Sequence, residues 1–331
     1  MVHNGVLIFL TLCNHHQTAP RGTVIFTPPF RDPFNYNFDP MVVRGIDWVS
    51  SHITNRFAWE GKPGAISRSG ASYSTWWNGG LRTTAYFHNM IGILTESFGS
   101  PNPTTLRQPM SRRLPFVDYP DPVPTQEWHA RQTIEYLQTV NYAILDLAAR
   151  YRRELLFNIY QMGRNSIQRG SRDHWTPTPR LVAEAKRREA LRRQAERGAK
   201  DADAEVGEGS SVAPEPLPDA FSDPALRDAR GYVLPASAVD FTASVRLVEA
   251  LRDTGVEVHV VEQEQWTAEG KSYPRGSFVV RCAQAFRPHV RDMFEPQWHP
   301  DDVDSGGDPV RPYDSAGWTL AMQLGAEVER L

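Results

Sequence analysis

His15 and His16 stand directly after the apolar run of residues 6–13. Imidazole is the commonest protein metal ligand and titrates near neutrality, so a pair placed where a strand ends, beside the clefts of α/β sheets, offers a ligand or an acid/base group. The same pair also reads as two solvated loop histidines. A second chemical candidate is Glu96, which closes the compact apolar run Met90-Ile91-Gly92-Ile93-Leu94-Thr95. A carboxylate leaving a hydrophobic strand is partly desolvated, which moves its pKa toward the range of a general base. A salt-bridged acid at a strand end is the alternative. Tyr73, Trp76 and Trp77 lie in a loop rich in Gly and Ser. They read either as a cover over substrate or as packing.

The elements that must position these residues follow from periodicity and punctuation. Residues 6–13 read as a buried strand and 24–27 as a second, short one. The first run is not read as a signal-peptide core, because no Lys or Arg precedes it and no A-x-A-like cleavage site follows. A continuous apolar run at the very start fits an interior strand whose neighbours lie upstream, so the beginning of the domain is expected to be missing. Residues 28–37 are broken by prolines and asparagines and form an irregular wall. A helix is predicted over 40–60, with Val42, Val43, Ile46, Val49, Ile53 and Phe57 on one stripe and Gly61-Lys62-Pro63-Gly64 as its stop. Residues 90–95 form a buried strand, 99–125 an extended coil, and 126–169 one long or two consecutive helices. A basic helix follows over 180–200, then an acidic linker over 201–224 that carries no base. Strand-like Gly231-Tyr232-Val233-Leu234, a helix at 240–253 and a strand at 256–261 form a β-α-β unit, so a second domain starts near residue 229. The domain reading is 1–125, a helical segment 126–200, a flexible linker 201–228 and a smaller α/β domain 229–331.

Composition narrows the function classes. The chain of 331 residues is 40% hydrophobic and 23% charged, which fits a globular α/β protein of about two domains. Its formal charge of −3 removes the global electrostatic case for nucleic acid. The basic helix is the one local candidate, but the acidic stretch beside it offers an internal partner, so no nucleic-acid partner is expected. The longest apolar run is far short of the roughly 20 residues that span a bilayer. Cys13 and Cys282 are the only cysteines, too few for a disulfide framework or a cysteine zinc cluster.

Taken in order, Asn14-His15-His16-Gln17-Thr18-Ala19-Pro20, Thr27-Pro28-Pro29, Asp32-Pro33, Ser72-Tyr73, Trp76-Trp77-Asn78-Gly79-Gly80 and Ile93-Leu94-Thr95-Glu96 resemble the second half of a zinc carboxypeptidase domain of the M14 peptidase family. The resemblance covers residues 6–98 and implies an incomplete three-layer α/β/α mixed-sheet domain. It places the third zinc ligand on His16, with His15 as the register alternative, and the general base on Glu96. Tyr73 takes the position of the substrate-covering tyrosine, and Trp76 and Trp77 would line the side-chain pocket. The implied activity is hydrolysis of peptide or protein ends by zinc-activated water, in an exported protein, secreted or periplasmic. The family's first two zinc ligands sit in a His-x-x-Glu motif well upstream of the third, and the fifteen residues before His16 contain no such motif. A catalytic zinc takes three protein ligands. The chain is therefore expected to be either the C-terminal part of a zinc carboxypeptidase or an inactive, peptide-binding remnant of the same fold. Residues 231–235, 254–256 and 273–280 look like a glutamine-amidotransferase-like appendix. Cys282 lacks the Gly-x-Cys-x-Gly setting of an active one, so that domain is expected to be non-catalytic.

Overall fold

Ile91–Ser97 is buried at every position. A strand that is buried throughout must be covered on both faces, and this one lies inside a four-stranded sheet of order Thr11–His16, Ile91–Ser97, Ile25–Phe26, Ala65–Ile66. Thr11–His16 runs parallel to it, with Thr11 opposite Ile91 and His16 opposite Glu96. Ile25–Phe26 runs antiparallel on the other side, with Phe26 opposite Glu96. A computed structural model describes residues 2–3, 6–7, 11–205, 219–304 and 306–331. Among these the architecture is mixed α/β, with eight α-helices and several small sheets.

The first strand differs from its expected form. Val6–Leu7 pairs antiparallel with Val2–His3, while Thr11–His16 is the sheet strand, starting later and running to the second histidine. Residues 8–10 lie outside the described residues. Among the described residues Thr11–His16 is paired on one side only and is half-buried rather than interior.

Helices pack against the sheet. Pro40–Trp59 starts at Asp39, whose side chain accepts from the Met41 backbone N–H at 3.0 Å, with Pro40 in the first turn. It buries Val42, Ile46, Val49, Ile53 and Phe57 and stops before Gly61, whose φ of 62° an L side chain rarely adopts. Residues 126–169 resolve into the strand Gln126–Trp128 and two helices, Ala130–Arg150 and Arg152–Gly170. Tyr136, Val140, Leu147, Leu155 and Met162 from these helices share one apolar cluster with Phe26, Ile53 and Ile93, so these helices and the sheet have a common core.

The basic helix spans Pro179–Glu205. Four of its arginines are answered locally: Arg187 and Arg188 by Glu184, Arg192 and Arg193 by Glu189, and Arg188 also by Asp223 at 2.8 Å. Residues 206–218 of the acidic linker lie outside the described residues. Among the described residues no helix is long and apolar enough to cross a membrane.

In the C-terminal part, Gly231–Leu234 and the helix Phe241–Asp253 form as expected. The third element shrinks to His259–Val260. Phe278–Arg281 inserts between it and Gly231–Leu234, antiparallel to both, so the two strands of the expected β-α-β unit are not neighbours. Cys282 is fully buried and its thiol is pushed up to about 11 by burial, which removes it as a nucleophile at neutral pH.

Candidate active site

Strand geometry brings His16 and Glu96 together. Residues directly opposite each other in neighbouring strands share a face, and successive residues alternate faces. The register therefore puts His16 and Glu96 on one side of the sheet and His15 and Thr95 on the other. His16 Nδ1 lies 3.4 Å from Glu96 Oε1, with the imidazole 52% exposed and the carboxylate side chain only 2% exposed. The other ring nitrogen of His16 is 2.9 Å from Asn14 Nδ2.

Thr18 fixes the carboxylate. Both its backbone N–H, at 2.9 Å, and its hydroxyl, at 2.6 Å, donate to Glu96 Oε2. Oε1 is thereby left as the oxygen that faces His16. Tyr73 joins the same residue, its hydroxyl donating to the Thr18 carbonyl at 2.7 Å. Burial pushes the Tyr73 hydroxyl above its ordinary pKa, and the nearby Glu96 charge adds to this. Tyr73 is thus a buried strut and not an open cover: its ring centroid lies 4.6 Å from that of Phe26 and 5.0 Å from that of Tyr313.

His15 is excluded from this site by strand alternation. Its Nδ1 lies 2.6 Å from Thr95 Oγ1 and its Nε2 3.1 Å from Asn141 Oδ1, on the helix Ala130–Arg150. Trp76 lines a small cavity with Tyr36, Arg291 and Trp298 that includes neither His16 nor Glu96. It is buried among Leu234, Leu247, Val280 and Trp318 of the second domain, and its Nε1 donates to the Ala316 carbonyl at 3.0 Å. Trp77 packs partly buried against the same cluster, with its ring so close to Gly79 that a Cβ there would come within 2.2 Å. A Gly-bordered aromatic pair that seats a distant segment has the same local composition as one that lines a cleft.

Sequence reasoning missed Arg82. It lies on the short helix Leu81–Phe87, is 4% exposed, and stacks its guanidinium 4.4 Å over Phe30 and 5.7 Å from the ring of Tyr313. Nη2 donates to the Ser74 carbonyl at 2.7 Å, while the buried Nη1 has no partner. The available signal was a charged residue in the tract Leu81–Phe87, whose following residues Thr83, Ala85, Tyr86 and Phe87 are all buried.

Among the described residues no three His, Cys, Asp or Glu side chains group so as to hold a metal ion. The single His-x-x-Glu in the chain, His259 to Glu262, lies downstream, with both end residues exposed on an edge of the C-terminal sheet. The described residues thus supply one imidazole and one carboxylate and do not fit the three-ligand set. By themselves they place a half-exposed imidazole against a buried carboxylate. No protein-family model, curated protein or solved structure matches the chain.

Proposed function

We propose that His16 and Glu96 form the general-base half of a metallocarboxypeptidase site of the M14 type. In this reading residues 11–170 belong to an incomplete three-layer α/β/α domain of an exported hydrolase that trims peptide or protein ends. The 3.4 Å approach of His16 to Glu96 across two parallel strand tips carries the proposal. It is supported by the asymmetry of the carboxylate: Thr18 occupies Oε2 with two donors, so Oε1 is the atom available to take a proton from water and return it to the leaving amine. Tyr73 positions Thr18, and through it the base. Zinc, the cofactor implied by the resemblance, needs two donors beyond His16, and these must come from outside the described residues.

A second reading, a peptide-binding remnant that no longer hydrolyses, is favoured by the unmet ligand set. Elemental analysis for zinc and turnover of blocked dipeptides separate the two, using the chain itself and a version extended through the upstream reading frame. The hydrolase reading expects about one zinc and measurable turnover in the extended version, with Glu96→Gln retaining the metal and losing roughly 10²–10⁴-fold in rate. An extended version that takes up no zinc ends that reading, and peptide binding without turnover in either version establishes the remnant.

A further inference from the structure

Two histidines meet inside the molecule, away from the strand tips. His88 ends the helix Leu81–Phe87 and His289 lies on the helix Arg287–Phe294; they are 8% and 5% exposed, with ring centroids 4.5 Å apart. Their hydrogen bonds decide which nitrogen of each ring carries the hydrogen. His88 Nδ1 lies 2.6 Å from the Thr84 carbonyl, which can only accept, so Nδ1 donates. His289 Nε2 lies 3.0 Å from Thr254 Oγ1, whose own hydrogen goes to the carbonyls of Ala250 and Leu251, so Nε2 donates too. The nitrogens left over, His88 Nε2 and His289 Nδ1, are buried and without a partner. These are the atoms on which a further proton must land, in a place that offers a charged ring neither water nor a counter-charge.

We propose that His88 and His289 form an acid-operated latch between residues 81–90 and the helix Arg287–Phe294, closed while both rings are neutral and opened when either takes a second proton. The charged groups on the elements around the pair are turned elsewhere. On the helix of His289, Arg287 and Arg291 go to Asp228, and Asp292 to Trp318 and Asn35. Arg82 donates to the Ser74 carbonyl, and Arg169 of the helix Arg152–Gly170 reaches Asp39. Arg246, Glu249, Arg252 and Asp253, on the helix that precedes Thr254, are exposed. Phe286, 4.8 Å from the His88 ring, is the other aromatic neighbour. Burial lowers the pKa of both rings, and the charge of His88 lowers that of His289 further. The closed contact thus excludes protons that the open chain takes up near 6.5, so this stabilisation is present above pH 6.5 and lost as pH falls below it. Asp292 works in the opposite sense, because the closed state holds its proton up to about 8 and opening releases it. Half-buried His174, lowered by burial and facing Arg287 and Arg291, is the competing imidazole beside the same helix. The latch is independent of the peptidase reading.

The test is amide hydrogen exchange of the full chain across mildly acidic pH, read by mass spectrometry in residues 81–90, in residues 286–294 and in the core strand Ile91–Ser97, with rates corrected for the intrinsic effect of pH. The reference is the double variant His88→Asn, His289→Gln, in which the amide nitrogens keep the donors to Thr84 and Thr254 without a titrating ring. Since Asp292 is common to both chains, its effect cancels in their ratio. Between about pH 6.5 and 5 the opening of the two segments in the native chain, relative to the variant, is expected to rise about tenfold or more. Ile91–Ser97 should keep its protection, and His174→Gln should follow the native chain. A flat ratio, a rise as large in Ile91–Ser97, or loss of the rise in His174→Gln overturns the latch. Should the double variant fail to fold, the native chain decides: in proton NMR two imidazole signals are expected to hold their neutral positions on acidification until the two segments begin to exchange faster. Titration of every imidazole with no change in exchange overturns the proposal.

Discussion

Two buried polar clusters in this molecule treat charge differently. Where the helix Arg287–Phe294 meets the first domain, Asp228 accepts from Arg287 at 2.6 Å, pairs with Arg291 at 3.0 Å and takes the Thr176 hydroxyl at 2.7 Å. Arg291 goes on to Asn37 at 2.8 Å, so the cluster ties the C-terminal helix to the N-terminal part of the chain, although the Nε of each arginine is left without a partner. At the strand tips, Glu96 is held by the neutral donors of Thr18 and looks toward a half-exposed histidine, and Arg82 has a carbonyl where the domain seam has a carboxylate. Opposite charges consumed by each other make a seam. Charged groups held apart, with one atom of each left over, retain the capacity to act on something else.

The largest expected effect separates the clusters by stability. Removing Asp228 leaves two buried guanidinium groups uncompensated, and Asp228→Ala should cost about 3–5 kcal/mol in urea unfolding. Glu96→Gln keeps an acceptor for the Thr18 donors and should cost only about 1 kcal/mol. Equal losses would mean that both carboxylates serve the fold and that the contrast is empty.

The next effect is a pH dependence confined to the seam. Asp292, on the same helix, is pushed up to about 8 by burial, with its oxygens accepting from Trp318 Nε1 at 2.7 Å and Asn35 Nδ2 at 3.3 Å. The folded state therefore keeps a proton that the unfolded chain, with an ordinary carboxyl near 3.8, releases. This contribution is complete below pH 3.8 and is lost as pH rises through about 8. Asp228 runs the other way: despite the opposing effect of burial, the charges of Arg291 and Arg287 lower its pKa, so its contribution is present above 3.8 and lost on acidification. Between pH 4 and 8, then, the native chain should lose stability relative to Asp292→Asn by at most about 1.4 kcal/mol per pH unit. Parallel stability curves for the two proteins would remove Asp292 as the titrating group.

The strand tips were legible in the sequence where the signal was local. The run Ile91-Gly92-Ile93-Leu94-Thr95 reads as a buried strand because every position is apolar, β-branched or small, and its acid falls at the tip because it is the first charge after that run. Periodicity also recovers Pro40–Trp59 with its buried stripe. The roles of Trp76 and Arg82 were not legible, for a common reason. Trp76 is placed by Ala316 and Trp318, and the environment of Arg82 depends on Phe30, Ser74 and Tyr313, so their burial is decided by segments far away along the chain. Likewise Thr18 has no marking in the sequence that it will clamp Glu96, since that follows only from the chain turning back after His16.

The smallest effect tests the alternation that separates adjacent histidines. His15 bridges Thr95 and Asn141, and it ties the edge strand to the helix Ala130–Arg150. His16 has one ring edge in solvent and one near Glu96. His15→Ala should therefore cost about 1–2 kcal/mol in urea unfolding, because it leaves partners unsatisfied under a helix. His16→Ala should fall within about 0.5 kcal/mol of the native chain, as exposed substitutions usually do. A double-mutant cycle pairing His15→Ala with Asn141→Ala should show coupling, since the two side chains share a hydrogen bond, while a cycle pairing His16→Ala with Asn141→Ala should be additive. Should His16→Ala cost as much as His15→Ala, the exposed imidazole would be part of the fold, and the strand tip would have no group free to serve a reaction.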